Sequence, residues 1–474
     1  MDELALLDAT AQAKLVRDGL ATPAELVEAA IGRIEALNPV LNAVITSLYD
    51  KALACAASPG LPDGPFRGVP FLLKDLGCHS AGDPYHCGMA LLKRLGWRAA
   101  TDTYASASLK AAGLVILGKT NTPELGTTPT TEPLSYGPTA NPWDTSRSPG
   151  GSSGGSASAV ASGMVPAAHG NDGGGSIRIP ASACGLVGLK PSRGRVSAGP
   201  LAGEAWAGCS TEGVLCRTVR DAAGLLDVLA GARLGDPYTA PPPERPFSAE
   251  PGADPGGLRI GLCEELPGWE TDPACRSAVR SAGTLLEGLG HEVDWSRPEA
   301  LGDQQLGGHY VCMVAVATAA DLDRWSLAVG RTIGPADVEP ENWMLSQLGR
   351  SLGAPAYFAS REWLHRLARR ASSWWEAGHD VLVLPTLASP PPPLGWLSHP
   401  EEGLPRAARL TPFTSQWNVT GQPAVSLPLH WSGDGLPIGV QLVGPPFGES
   451  LLLRLAAQIE QASPWVDRRP PVHA

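Results

Sequence analysis

Charge is scarce in this 474-residue chain, with Asp, Glu, Lys and Arg together making up 18% of it. What charge there is leans acidic: 36 Lys and Arg stand against 47 Asp and Glu, for a formal net charge of −11. No Lys/Arg cluster occurs, which speaks against a nucleic-acid partner, because such partners are held through their phosphates by grouped basic residues. Long apolar runs are missing too. None approaches the roughly 20 residues that a membrane-spanning helix needs, and the start MDELALLDAT lacks the basic-then-apolar order of a secretory leader. These absences predict a cytoplasmic protein without a membrane partner. Paired cysteine spacing is also lacking. The nine cysteines (Cys55, Cys78, Cys87, Cys184, Cys209, Cys216, Cys263, Cys275 and Cys312) are odd in number and form no CxxC, the pattern of reduced thiols rather than a disulfide framework. The Asn418-Val419-Thr420 sequon is therefore read as incidental.

What the chain has in quantity is glycine (56), proline (46) and hydrophobic residues (43%). That composition predicts a large core and many tight turns rather than disorder. Thr22-Pro23-Ala24-Glu25 reads as a capping box with proline at the first helical position, and Leu26, Ala30, Ile34 and Leu37 follow on one face. Asn38-Pro39 is expected to end that helix. From residue 67 short apolar runs lie between Gly and Pro: VPFLL (69–73), LVIL (114–117), VPAA (165–168) and LVGL (186–189). Their alternation with helical stretches predicts an α/β protein with a largely buried sheet. The stretch 236–257 holds seven prolines and reads as a loop, either a lid or a connection. LRIGLC (258–263), a helix near 273–289 and HEVDW (291–295) then form a βαβ-like unit, followed by helices to about 378. DVLVLP (380–385), AVSLPL (424–429) and PIGVQLV (437–443) return to strand character before an amphipathic C-terminal helix.

Several motifs compete for the chemistry. GLVILGKT (113–120) matches the phosphate-loop pattern GxxxxGK[ST], but its central residues are an apolar strand where a loop is required. GSSGG (151–155) matches GxSxG, which would make Ser153 the nucleophile of an α/β-hydrolase. The preceding NPWDTSRSPG cannot supply the buried strand that such an elbow needs. Cys78-His79 and His86-Cys87 offer four soft ligands, yet their spacing fits no common zinc site and Pro84 separates them. There remains GNDGGGSIRIPA (170–181). A glycine run before a helix lets backbone N–H groups converge on one point, which suits a phosphate and an oxyanion equally. Its Ser176 reads either as a helix N-cap or as a nucleophile, and a nucleophile needs a base. His169 reads as a residue packed on a strand. Lys74 follows VPFLL at the end of a buried strand, where α/β sheets place ligands, and a lysine desolvated there can act as a base.

Lys74, GGSSGGS (150–156) and GNDGGGSIRIPA, in that order, resemble the amidase signature family of serine hydrolases. GKTNTPE (118–124), CGLVGLKPSRGR (184–195), NVTGQPAVSLP (418–428) and DGLPIGVQLVG (434–444) extend the resemblance over nearly the whole chain. It implies an α/β fold with a central mixed sheet covered by helices on both faces. It also implies one domain, divided into an N-terminal helical part (1–65), a signature core (66–235), a variable substrate-side insertion (236–410) and a return to the core (411–474). The family pattern maps the nucleophile onto Ser176, the bridging serine onto Ser152, 24 residues earlier, and the base onto Lys74. Gly173, Gly174 and Gly175 are then the expected oxyanion donors, and Asp172 and Arg178 the supports of the turn. No metal or cofactor is implied.

Within the family the chain resembles the nylon-oligomer amidases, on Asn171, the SxRIPA run and WWEAGHDVLVLPT (374–386). That likeness implies small linear or cyclic amides as substrates, such as 6-aminohexanoate oligomers, and a substrate contact from Cys312 in CMVAVA. Two other readings stay open: a general aliphatic or aryl amidase, and an A-type subunit of an aminoacyl-tRNA amidotransferase. The latter departs at Gly173, where that group carries Thr, and at Ile179, where it carries Gln. The assembly state is left open, a homodimer being one option.

Overall fold

A computed structural model describes residues 3–474; Met1 and Asp2 of the acidic N-terminal stretch lie outside the described residues. Eleven strands form one sheet. In chain order they are β1 (Val44–Ser47), β2 (Pro70–Lys74), β3 (Val115–Thr120), β4 (Ala167–Asp172), β5 (Val187–Lys190) and β6 (Thr211–Cys216), then β7 (Arg259–Leu262), β8 (Glu292–Asp294), β9 (Val381–Pro385), β10 (Ala424–Trp431) and β11 (Pro437–Val443). Across the sheet the order is β1-β3-β2-β4-β6-β5-β10-β11-β9-β7-β8. Strand β2 runs parallel to β3 and β4, and β7 runs parallel to β8 and β9. Antiparallel pairs join these two parallel groups through β6, β5, β10 and β11, so the sheet is mixed as expected.

The burial pattern explains why the strands read as continuous apolar runs. Side chains alternate between the faces of a strand, and here both faces are covered. Phe71 and Leu73 of β2 enter one core together with the helices Val219–Leu229, Pro273–Gly288 and Glu449–Ala462. Leu72 enters the opposite core, against the helices Pro23–Leu41 and Gly154–Ala161. Among the described residues no helix is long and apolar enough to cross a membrane.

Three sequence expectations are refined. The capping box forms, with Thr22 and Glu25 bonded reciprocally, but the helix runs past Asn38-Pro39 to Leu41. In the last turn Pro39 forfeits only its own N–H bond, and Asn42 in the left-handed region closes the end instead. Strand β4 begins at Ala167 rather than Val165 and extends through Gly170, Asn171 and Asp172, so all three residues of GND are strand. The Walker-like GKT is likewise the buried end of β3 and offers no loop to a phosphate. The loop 236–257 is tied down on the helical face: Phe247 is buried in the core, its N–H donates to Asp227 (2.7 Å), and Glu250 bonds Arg454 (2.5 Å).

Candidate active site

The parallel strands β2 and β4 end side by side, and their last residues carry the polar groups. Lys74 closes β2, and its Nζ lies 2.6 Å from Ser152 Oγ and 2.6 Å from Asn171 Oδ1 of β4. Asn171 Nδ2 donates to the Leu76 carbonyl at 3.0 Å, which fixes its orientation. Lys74 is fully buried. Burial pulls its ammonium down to about 7, against the charges of Glu212 and Asp172, which favour the protonated form. A largely neutral amine at mildly alkaline pH, in contact with a serine hydroxyl, is the arrangement of a base.

Ser152 stands in the turn before the helix Gly154–Ala161, with 1% of its surface exposed. Its neighbour Ser153 stands at the N-cap position without a side-chain cap bond, its Oγ donating instead to the Asn171 carbonyl at 3.3 Å. Ser176 lies two residues before the helix Arg178–Cys184, next to its N-cap Ile177. Its Oγ has no partner among the described residues, and Ser176 and Ser152 line the same cavity of about 600 Å³. The structure thus brings Lys74, Ser152 and Ser176 to one place and directs Ser153 elsewhere.

The turn between β4 and Ser176 is built around one carboxylate. Asp172 accepts the Gly175 N–H (2.7 Å) and the Ile177 N–H (3.2 Å), and it meets Arg178 through two hydrogen bonds of 2.9 Å. Arg178 is fully buried, and its remaining donors reach the Thr414 carbonyl (2.9 Å), Gln441 Oε1 (2.6 Å) and Asn418 Oδ1 (2.7 Å). Burial alone would push the Asp172 carboxyl up; the Arg178 guanidinium overcomes that and holds it well below the usual carboxylate range. Both charges are therefore satisfied supports, as expected. Asn418 is 1% exposed and bonded to Asp172, so the sequon asparagine is a part of this core.

The glycine run divides its donors. Gly175, at φ +133°, gives its N–H to Asp172, so it is not an oxyanion donor, contrary to expectation. Among the described residues no acceptor takes the N–H groups of Gly173, Gly174 or Ser176. Gly174 is required by close approach, because a Cβ there would lie 2.3 Å from Tyr310 Oη, which itself donates to the Gly173 carbonyl at 2.7 Å.

Tyr85, Trp97, Leu125, Trp206 and Trp325 make the cavity largely apolar. The helix Leu306–Val329 contributes Met313, Val316, Ala317, Ala320, Arg324 and Ala328, the spacing of a single helical face. Cys312 is not on that face. It is 8% exposed, packs in an apolar cluster with Cys209 and Leu364, and lies outside the residues that line the cavity. The Cys78, His79, His86 and Cys87 set is dispersed: Cys78 and Cys87 enter different cores, and His86 Nδ1 pairs with Tyr136 (2.6 Å). The residues missed from sequence are Asn171 as a ligand of Lys74 and Glu212 as a cavity wall. Glu212 sits on β6, a strand whose TEGVLC segment carries no clear alternation.

Fold, buried lysine and serine-bearing turn together define an amide hydrolase of the amidase signature family, and the chain belongs to that family, its amidase model matching residues 25–453. It is a hydrolase of carbon–nitrogen bonds. A 6-aminohexanoate-cyclic-dimer hydrolase of Pseudomonas sp. (strain NK87) is 46% identical over 98% of this chain and 96% of its own. A solved 6-aminohexanoate cyclic dimer hydrolase complexed with substrate superposes with a TM-score of 0.95 at 44% identity, covering 100% of both chains. A bacterial aryl acylamidase of the same family superposes with a TM-score of 0.88 at 28% identity over 97% of each chain.

Proposed function

We propose that the protein hydrolyses small linear or cyclic aliphatic amides of the 6-aminohexanoate type through an acyl-enzyme on Ser176. The observation that carries the mechanism is the 2.6 Å contact between buried Lys74 and Ser152 beside a serine open to the cavity. Neutral Lys74 donates to Asn171 and presents its lone pair to the Ser152 hydroxyl. As Ser176 Oγ attacks the carbonyl carbon, its proton passes to Ser152 and that of Ser152 to Lys74. The oxyanion is held by the free N–H groups of Gly173, Gly174 and Ser176. When the carbon–nitrogen bond breaks, the relay runs backward and protonates the leaving amine. Water then releases the acid by the same route.

The substrate class rests on two supports: the apolar cavity of about 600 Å³ suits a compact polymethylene chain, and the relative from Pseudomonas acts, by its name, on the 6-aminohexanoate cyclic dimer. The test is a product-release assay on cyclic and linear 6-aminohexanoate oligomers, aryl anilides and glutamine, with the wild type and Ser176→Ala. Turnover of the oligomers is expected, abolished in Ser176→Ala, and a fluorophosphonate adduct should map to Ser176. An adduct on Ser153, or undiminished turnover by the variant, overturns the mechanism. Preference for anilides or glutamine overturns the substrate class alone.

A further inference from the structure

The relay leaves a positive charge on Lys74 in a fully buried site, and buried charges need a partner. Each charge around Lys74 can be followed to its own partner. Just past the end of β2, Asp75 interacts with the buried Lys119 of β3. On β4, Asp172 is engaged twice by Arg178. Lys190 of β5 lies within the fields of Arg178, Asp172 and Glu449. Along the cavity wall Glu204 pairs with Arg361 (3.2 Å) and Asp321 with Arg324. Among the described residues, Glu212 of β6 is the cavity carboxylate with no Lys or Arg ion pair.

Its surroundings are nonetheless ordered. Glu212 is the direct antiparallel partner of Asn171, the residue that holds Lys74 Nζ. Glu212 Oε2 lies 2.6 Å from Nε2 of His169, which is fully buried on β4. Among the described residues His169 Nδ1 has no hydrogen-bond partner. Nε2 is thus the ring nitrogen that faces the carboxylate, and His169 fixes the orientation of Glu212 from the neighbouring strand. The other oxygen points to the space over Gly77, where a Cβ would stand 2.7 Å from Glu212 Oε1 and 2.4 Å from Asn171 Nδ2. The carboxylate and the Lys74 ligand thus converge on one small gap.

We propose that Glu212 is the counter-charge of Lys74, a positioning residue whose carboxylate, oriented by His169, stabilises the ammonium that Lys74 carries once it has taken the proton from Ser152. The inference rests on the Ser176–Ser152–Lys74 relay proposed above. The burial-lowered basicity of Lys74, opposed first by Glu212, agrees with it.

The test is the pH profile of kcat/KM for an amide in wild type, Glu212→Gln and Glu212→Asp. Glu212→Gln keeps an acceptor for His169 but removes the charge, so the acid limb should move to lower pH by roughly one unit. Glu212→Asp keeps the charge and should leave the limb near its wild-type position. An unmoved limb in Glu212→Gln overturns the proposal, as does a Glu212→Asp limb displaced as far as that of Glu212→Gln. Should Glu212→Gln not fold, the Glu212→Asp limb alone decides, since displacement to lower pH despite the retained carboxylate overturns it. The same profile in a fluorophosphonate-labelling assay reads Lys74 without turnover. If labelling and hydrolysis persist in Lys74→Ala, the relay itself has failed; if they vanish there while the Glu212→Gln limb stays put, only the role of Glu212 has.

Discussion

At the scale of single residues, Lys74 decides what the site can do. A lysine in water stays protonated to a pH near ~10.4 and is useless as a base at neutrality; burial against β3 and β4 brings this one down to about 7. Folding lowers its basicity, so the active, neutral form grows as pH rises through about 7. The kcat/KM for an amide should therefore climb through that pH and level off above it, and a profile flat from 5 to 9 would contradict a lysine base. Lys74→Ala should depress amide turnover by a larger factor than turnover of a p-nitrophenyl ester, whose leaving group needs no proton. Equal losses would argue against proton return through Lys74. The family resemblance pointed to Lys74, Ser152 and Ser176, and the structure places Lys74 against Ser152 with Ser176 on the same cavity. For Cys312 a motif gives a position along the helix and not the face it presents, and in the structure it packs in an apolar cluster beside the cavity-lining face. Gly175 was misread because its competing acceptor, Asp172, becomes visible only once the turn is folded.

At the scale of elements, the turn 172–178 joins a strand to a helix around one carboxylate, and its glycines differ in duty. Gly175 supplies a backbone angle and Gly174 supplies room. Gly174→Ala should push the Tyr310 hydroxyl off the Gly173 carbonyl and misdirect the oxyanion donors, lowering kcat/KM by roughly 10²-fold with an unchanged circular dichroism spectrum. Removing the obstructing hydroxyl in Gly174→Ala/Tyr310→Phe should recover part of that loss; a double variant no better than the single one would place the fault elsewhere. Nine of the eleven strands were legible as apolar runs. The two that were not, β1 and β6, are VITS and TEGVLC: the first is only four residues long, and the second opens on Thr, Glu and Gly. They form through pairing with β3 and β4 rather than through their own pattern. Missing β6 hid Glu212, since a glutamate outside any element gives no hint that it pairs across the sheet with the Asn171 that holds Lys74.

At the scale of the whole molecule, the sheet separates duties along its width. The proposed relay residues come from β2 and the turns beside β2 and β4, near one end of the strand order, whereas the βαβ unit β7, Pro273–Gly288 and β8 closes the other. Between them, a single face of the helix Leu306–Val329 forms one wall of the cavity without carrying any relay residue. Such a wall is a cassette. A chimaera that takes residues 313–329 from an aryl acylamidase of the family, keeping Tyr310, should still be labelled by a fluorophosphonate at Ser176 while its ranking of aliphatic and aryl amides changes. An unchanged ranking would mean that selectivity resides in Trp206 and the aromatic residues opposite. For the history of such enzymes, a new diet can then be acquired by rewriting some five turns of helix, with the inherited chemistry left untouched.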